Sequence, residues 1–375
     1  MRRVWTTAVI LGLAAAAGAA APQRGAKPSA AVPGAAAARV KARAAMDRGL
    51  QFLRQKQEAD GSWNHYPGIT ALVVLAFLRA GVSPQDAPVA RGAAFLASLA
   101  KPNGAIYTDA LGKSQELPNY NTAGAIMALN ATGDPRYRPL VQKAQHFLET
   151  SQYDEGEGFS PHDWQYGGMG YGTGSGNPDL SNLQQSLEAL KETGYPQHGP
   201  AFAKAIAFLQ RCQNRKESND QEWAGSDGGF VYAANGNSKA DEFTKQAHSS
   251  YGSMTYAGLK SYLYCGVSKT DPRAQAAYQW IRRNYTVEEN PRMRNDGLFY
   301  YYHTMSKTLA VYGDKVLTDS RGIKHYWALD LIDAIDRRQH PDGSWTNSDR
   351  RWQEDNSALV TAYVVISLSN CLKGL

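Results

Sequence analysis

The sequence predicts an all-α protein, an (α/α)6 toroid or barrel of six helix hairpins. Three observations carry that expectation. Amphipathic helices alternate with helices apolar nearly all round, glycines recur where helices should stop, and a Gly–aromatic turn follows the first helix of most units. "LQFLRQKQ" sets apolar and charged residues at helical spacing, as a helix with one wet face does. "TALVVLAFL" and "LVTAYVVISL" have no wet face and suit helices enclosed by other helices. Gly81, Gly133, Gly194, Gly266 and Gly313 stand where helix C-caps belong. Closing such a chain into a ring removes the terminal repeats that an open array must cap with a polar face. An open superhelix is the alternative arrangement.

In chain order, Met1–Ala21 joins the basic Arg2 and Arg3 to the apolar "AVILGLAAAAGAA" and a small-residue end. That pattern is expected of an export signal, leading to the periplasm or the outside of the cell, and its apolar run is too short for a transmembrane anchor. Residues 22–43, rich in Ala and Pro, are expected to form a flexible linker. Residues 44–375 then hold the six units. The first pairs "LQFLRQKQ" with "TALVVLAFLRAG", and the second pairs "VARGAAFLASLA" with "NTAGAIMALNATG". The third joins "VQKAQHFLETSQ" to "LSNLQQSLEALKETG" through a Gly-rich crossing. The fourth uses "AFAKAIAFLQRCQNRK" and "SSYGSMTYAGLKSYLYCG"; the fifth, "DPRAQAAYQWIRRNY" and "YYYHTMSKTLAVYG". The sixth pairs "WALDLIDAIDRRQ" with "DNSALVTAYVVISL".

The 375 residues carry a formal charge of +6, but acids and bases are mixed along the helices, so no stripe for a nucleic acid is visible. Cys212, Cys265 and Cys371 allow at most one internal disulfide and form no metal-ligand cluster. No metal and no cofactor is expected. "GCGEQ", the thioester signature of complement-like toroids, is absent.

"DGSW" occurs twice, at Asp60–Trp63 and Asp342–Trp345, each after a helix ending in "RQKQ" or "RRQ". Looser versions are "PNGAIY", "YGGMGYG", "SDGGFVY" and "NDGLFYY". This pattern resembles the QW-type repeat of squalene–hopene cyclases, oxidosqualene cyclases and protein-prenyltransferase β subunits. The likeness covers roughly residues 44–375 and implies the terpenoid-cyclase toroid, a fold that by itself leaves the chemistry open. Glycine permits a tight exit from the first helix, and the aromatic residue covers the junction.

In such a ring the loops entering the inner helices converge on one mouth. That brings together "HYPGIT", "PNYNT", "NPDLSN", "HSSYGSMT", "YYYHTM" and "QEDNS". Tyr66, Tyr120, Asn121, Ser181, Asn182, Tyr251, Tyr301 and Tyr302 are therefore expected to contact a ligand, with Tyr300 beside them. Aromatic faces suit an isoprenoid chain and can stabilise carbocations along it.

Squalene–hopene cyclases carry Asp-X-Asp-Asp before an inner helix, and "PDLSNLQQSLEAL" resembles that frame. Asp179 matches the first acid, while Ser181 and Asn182 occupy the later two. The resemblance implies that the middle position protonates carbon, which demands a strong, water-shielded acid that serine cannot replace. Asp179 is thus a candidate acid, against a capping or turn role at this helix start with Ser181 or Asn182 as N-cap. Asp355 is a second candidate acid, equally suited to the first turn of the last helix. His303, in "YYHTM", resembles a zinc-ligating histidine of prenyltransferases, but the accompanying Asp and Cys are missing, so it is expected to shape the cavity.

The leading expectation is an exported squalene-cyclase- or terpene-cyclase-like protein, of isomerase or lyase type if active, that binds or cyclises a polyprenyl hydrocarbon or another apolar small molecule. A noncatalytic envelope binding or scaffold toroid is the alternative. A polysaccharide-active barrel is a third reading, with Trp164 and Trp223 beside Asp163, Asp227 and Glu222 along a groove.

Overall fold

The computed structural model describes residues 32–112, 116–172 and 177–375. The expected export signal lies outside the described residues, as does the first half of the expected linker.

Twelve helices of ten residues or more run through the described residues. They are α1 (Ala35–Gln55), α2 (Pro67–Arg79), α3 (Ala87–Ser98), α4 (Pro118–Ala131), α5 (Arg138–Glu149) and α6 (Leu180–Glu192), then α7 (Pro200–Cys212), α8 (Gly252–Tyr264), α9 (Pro272–Arg283), α10 (Leu298–Tyr312), α11 (Trp327–Asp336) and α12 (Ser357–Gly374). Between α10 and α11, β1 (Leu317–Thr318) pairs antiparallel with β2 (Lys324–His325).

The start of α1 corrects the expected linker, because the helix begins at Ala35. Alanine is the strongest helix former, so a run that looks like low-complexity tether is also helix-prone. Here Ala42, Ala45 and Met46 bury one face, and α1 packs against α11 and α12.

Odd- and even-numbered helices differ as their sequences demand. α5 buries only Val141, Ala144 and Leu148, a single stripe at helical spacing. α2 is buried from Pro67 to Phe77, and α12 from Ala358 to Cys371. α12 is long and apolar enough to cross a membrane, yet most of it is enclosed by neighbouring helices. Gly81, Gly133, Gly194, Gly266 and Gly313 all take positive φ just past helix ends, a region that side chains with a Cβ rarely enter.

The even helices touch in a closed order. α2 packs on α4, α4 on α6, α6 on α8, α8 on α10, α10 on α12, and α12 again on α2. The odd helices lie against these: α3 on α2 and α4, α5 on α4 and α6, α7 on α6 and α8, and α9 on α8.

A recurring turn ties consecutive units together. Gln57 Nε2 donates to the carbonyls of Gly61 (2.9 Å) and Pro88 (2.8 Å), joining its own turn to α3. Gln152 does the same for Gly167 and Ala201 of α7, and Gln213 for Gly228 and Arg273 of α9. Gln339 bonds Gly343 (2.9 Å) and Ala45 of α1 (3.0 Å), so the last unit is clamped to the first. The fully buried Trp63 and Trp345 donate their indole N–H to the carbonyls of Leu53 and Ile335, which satisfies acceptors near the ends of α1 and α11.

Candidate functional site

The first turns of all six even helices meet around one cavity of about 220 Å3. Tyr66 and Ile69 reach it from α2, Leu117 and Tyr120 from α4, and Ser181 from α6. Tyr251 and Met254 come from α8, Gly297 and Tyr300 from α10, and Leu359 and Tyr363 from α12. Tyr171, Tyr232, Asn290 and the segment Arg351–Gln353 complete the wall from the connecting loops. Among the described residues seven tyrosines line the cavity, no Asp, Glu or His does, and Arg351 is the only charged one on the wall. Burial holds the phenols of Tyr120, Tyr251 and Tyr300 well above their ordinary pKa, so they are neutral hydroxyls at any physiological pH.

Tyr66, Tyr120, Ser181 and Tyr251 are therefore on the wall. Asn121 and Asn182 are buried behind it, Asn121 donating its Nδ2 to the Glu116 carbonyl at 2.7 Å. Tyr301 and Tyr302 correct the expectation for the "YYYHTM" run. Their hydroxyls donate to the carbonyls of Thr286 and Val287, away from the cavity. Consecutive helical residues are rotated by about 100° from one another, so a single tyrosine of the three, Tyr300, can face inward. His303 sits below the cavity with its ring 4.8 Å from that of Tyr363 and does not line the wall. Burial, followed by the nearby Lys307 charge, holds its pKa well below the ordinary value, so the imidazole is neutral.

Asp179 is buried at 3% exposure but is not on the wall. It is the N-cap of α6: Oδ1 accepts from the Asn182 backbone N–H at 2.9 Å, and Oδ2 from Asn182 Nδ2 at 2.8 Å. Burial pushes its carboxyl up to about 6, opposed by these bonds and by one from the Tyr232 side chain. Tyr232 is in turn 3.1 Å, hydroxyl to hydroxyl, from Tyr171 on the wall. The carboxyl is thus separated from the cavity by a layer of phenol.

Asp355 is corrected as well. It faces solvent, 3.5 Å from Arg350 Nε, with 47% of its side chain exposed. The buried acid is its neighbour Glu354, which accepts from the Tyr300 backbone N–H at 2.7 Å and from Asn347 Nδ2 at 2.8 Å. Burial pushes Glu354 up to about 7. It braces the start of α10 while Asn356 caps α12 through the N–H groups of Ala358 and Leu359. In "QEDNSA" the sequence offers both Glu354 and Asp355, and the reading favoured Asp355; Tyr171, Tyr232 and Tyr363 were passed over, although Tyr363 is an isolated phenol inside the apolar run "LVTAYVVISL".

Three residues of the expected saccharide groove have local partners. Asp163 accepts from Ser160 N–H and Oγ, and Asp227 from Gly229 N–H, Ser250 Oγ and Arg292. Trp223 donates its indole N–H to the Ala234 carbonyl.

A second cavity of about 220 Å3 opens at the opposite ends of the even helices, lined by Arg79, Glu188, Glu192, Lys307 and Lys373 among others. Glu188, fully buried, receives Lys260 and Lys307, the latter at 2.6 Å from Oε1. Burial opposes its ionisation, but the two ammonium groups prevail and hold the carboxyl below its ordinary range.

No family model matches the sequence, and neither does any curated protein. Among solved structures the chain is similar to the type II terpene cyclase MstE from Scytonema in its apo form, with a TM-score of 0.56 and 13% identity over 90% of this chain and 100% of that one. A variant of MstE in complex with its substrate, geranylgeranyl dihydroxybenzoate, gives a TM-score of 0.57 at 13% identity, covering 91% of this chain and 99% of that one. At such identity the likeness concerns the fold alone: this chain shares the fold of a type II terpene cyclase.

Proposed function

We propose that the closed cycle of even helices is the inner ring of an (α/α)6 toroid of terpenoid-cyclase type. We further propose that the protein is exported through Met1–Ala21 and binds a polyprenyl-class, largely apolar ligand at the tyrosine-lined mouth. The observation that carries this reading is the convergence of six helix starts on one aromatic cavity with no carboxylate among its described lining residues. Aromatic faces and aliphatic side chains bury isoprenyl groups, while neutral phenols remain available as hydrogen-bond donors. Small-molecule sites run to roughly 300–1,000 Å3, so a cavity near 220 Å3 suits a section of such a chain better than a whole squalene.

Ser181 stands on the wall at the place where the resemblance puts the family's proton donor. An alcohol does not protonate an alkene, and the favoured activity is therefore binding without cyclisation. Asp179, raised to about 6 and bonded to Tyr232 on the wall, favours a second, catalytic reading.

Titration with farnesol, geranylgeraniol and squalene tests both, following the fluorescence of Trp352 on the wall and analysing the mixture by mass spectrometry. Saturable quenching with unchanged ligand is expected. Failure of every ligand to bind overturns the proposal, and a cyclised product that disappears in Asp179→Asn establishes the catalytic reading instead.

A further inference from the structure

Between the two cavities a continuous polar path runs through the centre of the fold. Glu188 of α6 binds Lys260 of α8, and Lys260 Nζ also donates to Gln184 Oε1 across 2.6 Å. All three side chains are buried. An ammonium group has only N–H bonds to offer, so Gln184 must turn its oxygen toward Lys260. Its amide nitrogen then points the other way, 3.3 Å from the Tyr300 hydroxyl. The phenol oxygen accepts that N–H, and its own hydrogen is left for the other side. There Ser181 Oγ lies at 3.3 Å, a contact in which either hydroxyl can donate, long beside the usual 2.7–2.8 Å or so for O–H···O and therefore easily replaced. Tyr300 and Ser181 both line the mouth cavity.

Resting on the binding reading above, we infer that Tyr300 is a specificity-determining hydrogen-bond donor, aimed by Gln184, and that the cavity selects an isoprenoid bearing an acceptor oxygen, such as a carbonyl or carboxylate, over a bare hydrocarbon. The direction of the hydroxyl is set from behind by the buried ion cluster. The surroundings agree in sign: Arg351 is on the same wall, and six helix starts point their partial positive charge at this end. A hydrocarbon leaves the oriented hydroxyl with only its weak serine partner, whereas a carbonyl oxygen completes it.

The test compares an isoprenoid methyl ketone, the corresponding carboxylic acid and the hydrocarbon of equal chain length on the intact protein. The ketone is expected to bind about tenfold or more tighter than the hydrocarbon, with its C=O infrared band shifted to lower frequency. Tyr300→Phe is expected to abolish both the preference and the band shift. Gln184→Glu keeps the size of the side chain but replaces the donating amide with an acceptor, which turns the Tyr300 hydrogen away from the cavity. The ketone-to-hydrocarbon ratio should therefore fall toward unity, while circular dichroism confirms an intact fold; a merely structural role for Gln184 moves both affinities and leaves the ratio. Equal binding of ketone and hydrocarbon by the unmodified protein overturns this inference and leaves the apolar cavity standing. Binding of neither overturns both readings.

Discussion

Asn182 Nδ2 donates to Asp179 Oδ2 across 2.8 Å while the Asn182 backbone N–H occupies Oδ1, so the two outer positions of the Asp179–Asn182 turn hold each other. A carboxyl used in this way is a helix cap before it is anything else, and its burial has a consequence for stability. Its folded pKa, about 6, lies above the ordinary value near 4. Below about pH 4 the group is protonated in both folded and unfolded chains and costs nothing. Between about pH 4 and pH 6 the unfolded chain ionises this carboxyl while the folded protein keeps it protonated, so stability falls across that window and levels off as the folded group ionises as well. Thermal melts between about pH 4 and pH 7 should show a decline worth about 3 kcal/mol from this residue. Asp179→Asn, which keeps a capping oxygen, should flatten that portion; parallel curves for the two proteins would refute the assignment.

The Glu188–Lys260 pair should behave as a buried ion pair rather than as two independent side chains. Lys260→Met leaves the Glu188 carboxylate with Lys307 alone and is expected to cost about 3–5 kcal/mol in urea unfolding. Combining it with Glu188→Leu removes the stranded charge, and the double variant should be more stable than Lys260→Met alone. Simple additivity of the two single changes is the result that defeats this account.

The contact between the last unit and the first has its own test at Gly343. Its φ is +89°, and an added Cβ would lie 2.6 Å from the Arg48 carbonyl oxygen of α1. Gly343→Ala must therefore both strain the backbone and push the last unit away from the first. Gly81 has the same φ of +89° with nothing within 4 Å of an added Cβ, which isolates the backbone cost at about 1–2 kcal/mol. The expected order is a markedly lower melting temperature for Gly343→Ala than for Gly81→Ala. Equal losses would show that the Arg48 contact carries no weight.

The three cysteines are free, and Cys212 and Cys371 are buried. Burial pushes Cys265 up to about 12, so even this more accessible thiol is little ionised. Alkylation with iodoacetamide at neutral pH should be slow for the native protein and reach all three thiols after denaturation. A disulfide in the native protein, seen as a mass two hydrogens lighter, contradicts these positions.

Much of the fold was legible because its signals are local. The stripe Val141–Ala144–Leu148 and the all-apolar α2 and α12 announce their surroundings through periodicity alone. The glycines at 81, 133, 194, 266 and 313 mark helix ends because few other residues tolerate that backbone region. The start of α1 was less legible, since Ala-rich tether and Ala-rich helix have the same composition and differ only in what their faces meet. The site was harder still. Tyr300, Tyr301 and Tyr302 are identical to a sequence reader, yet a turn of about 100° sends one into the cavity and two onto loop carbonyls. Glu354 and Asp355 differ by a single place, and that place decides between a buried brace for α10 and an exposed partner of Arg350.

By itself, then, the sequence determined the alternation of wet and dry helices, their ends and the family of turns between them, because each depends on residues a few positions apart. Only the tertiary structure decided which hydroxyls share a cavity and which way Tyr300 points. Those outcomes depend on Gln184, Lys260 and Glu188 meeting from α6 and α8, and on how each helix is rotated against its neighbours. Packing sets that rotation, and no window of sequence contains it.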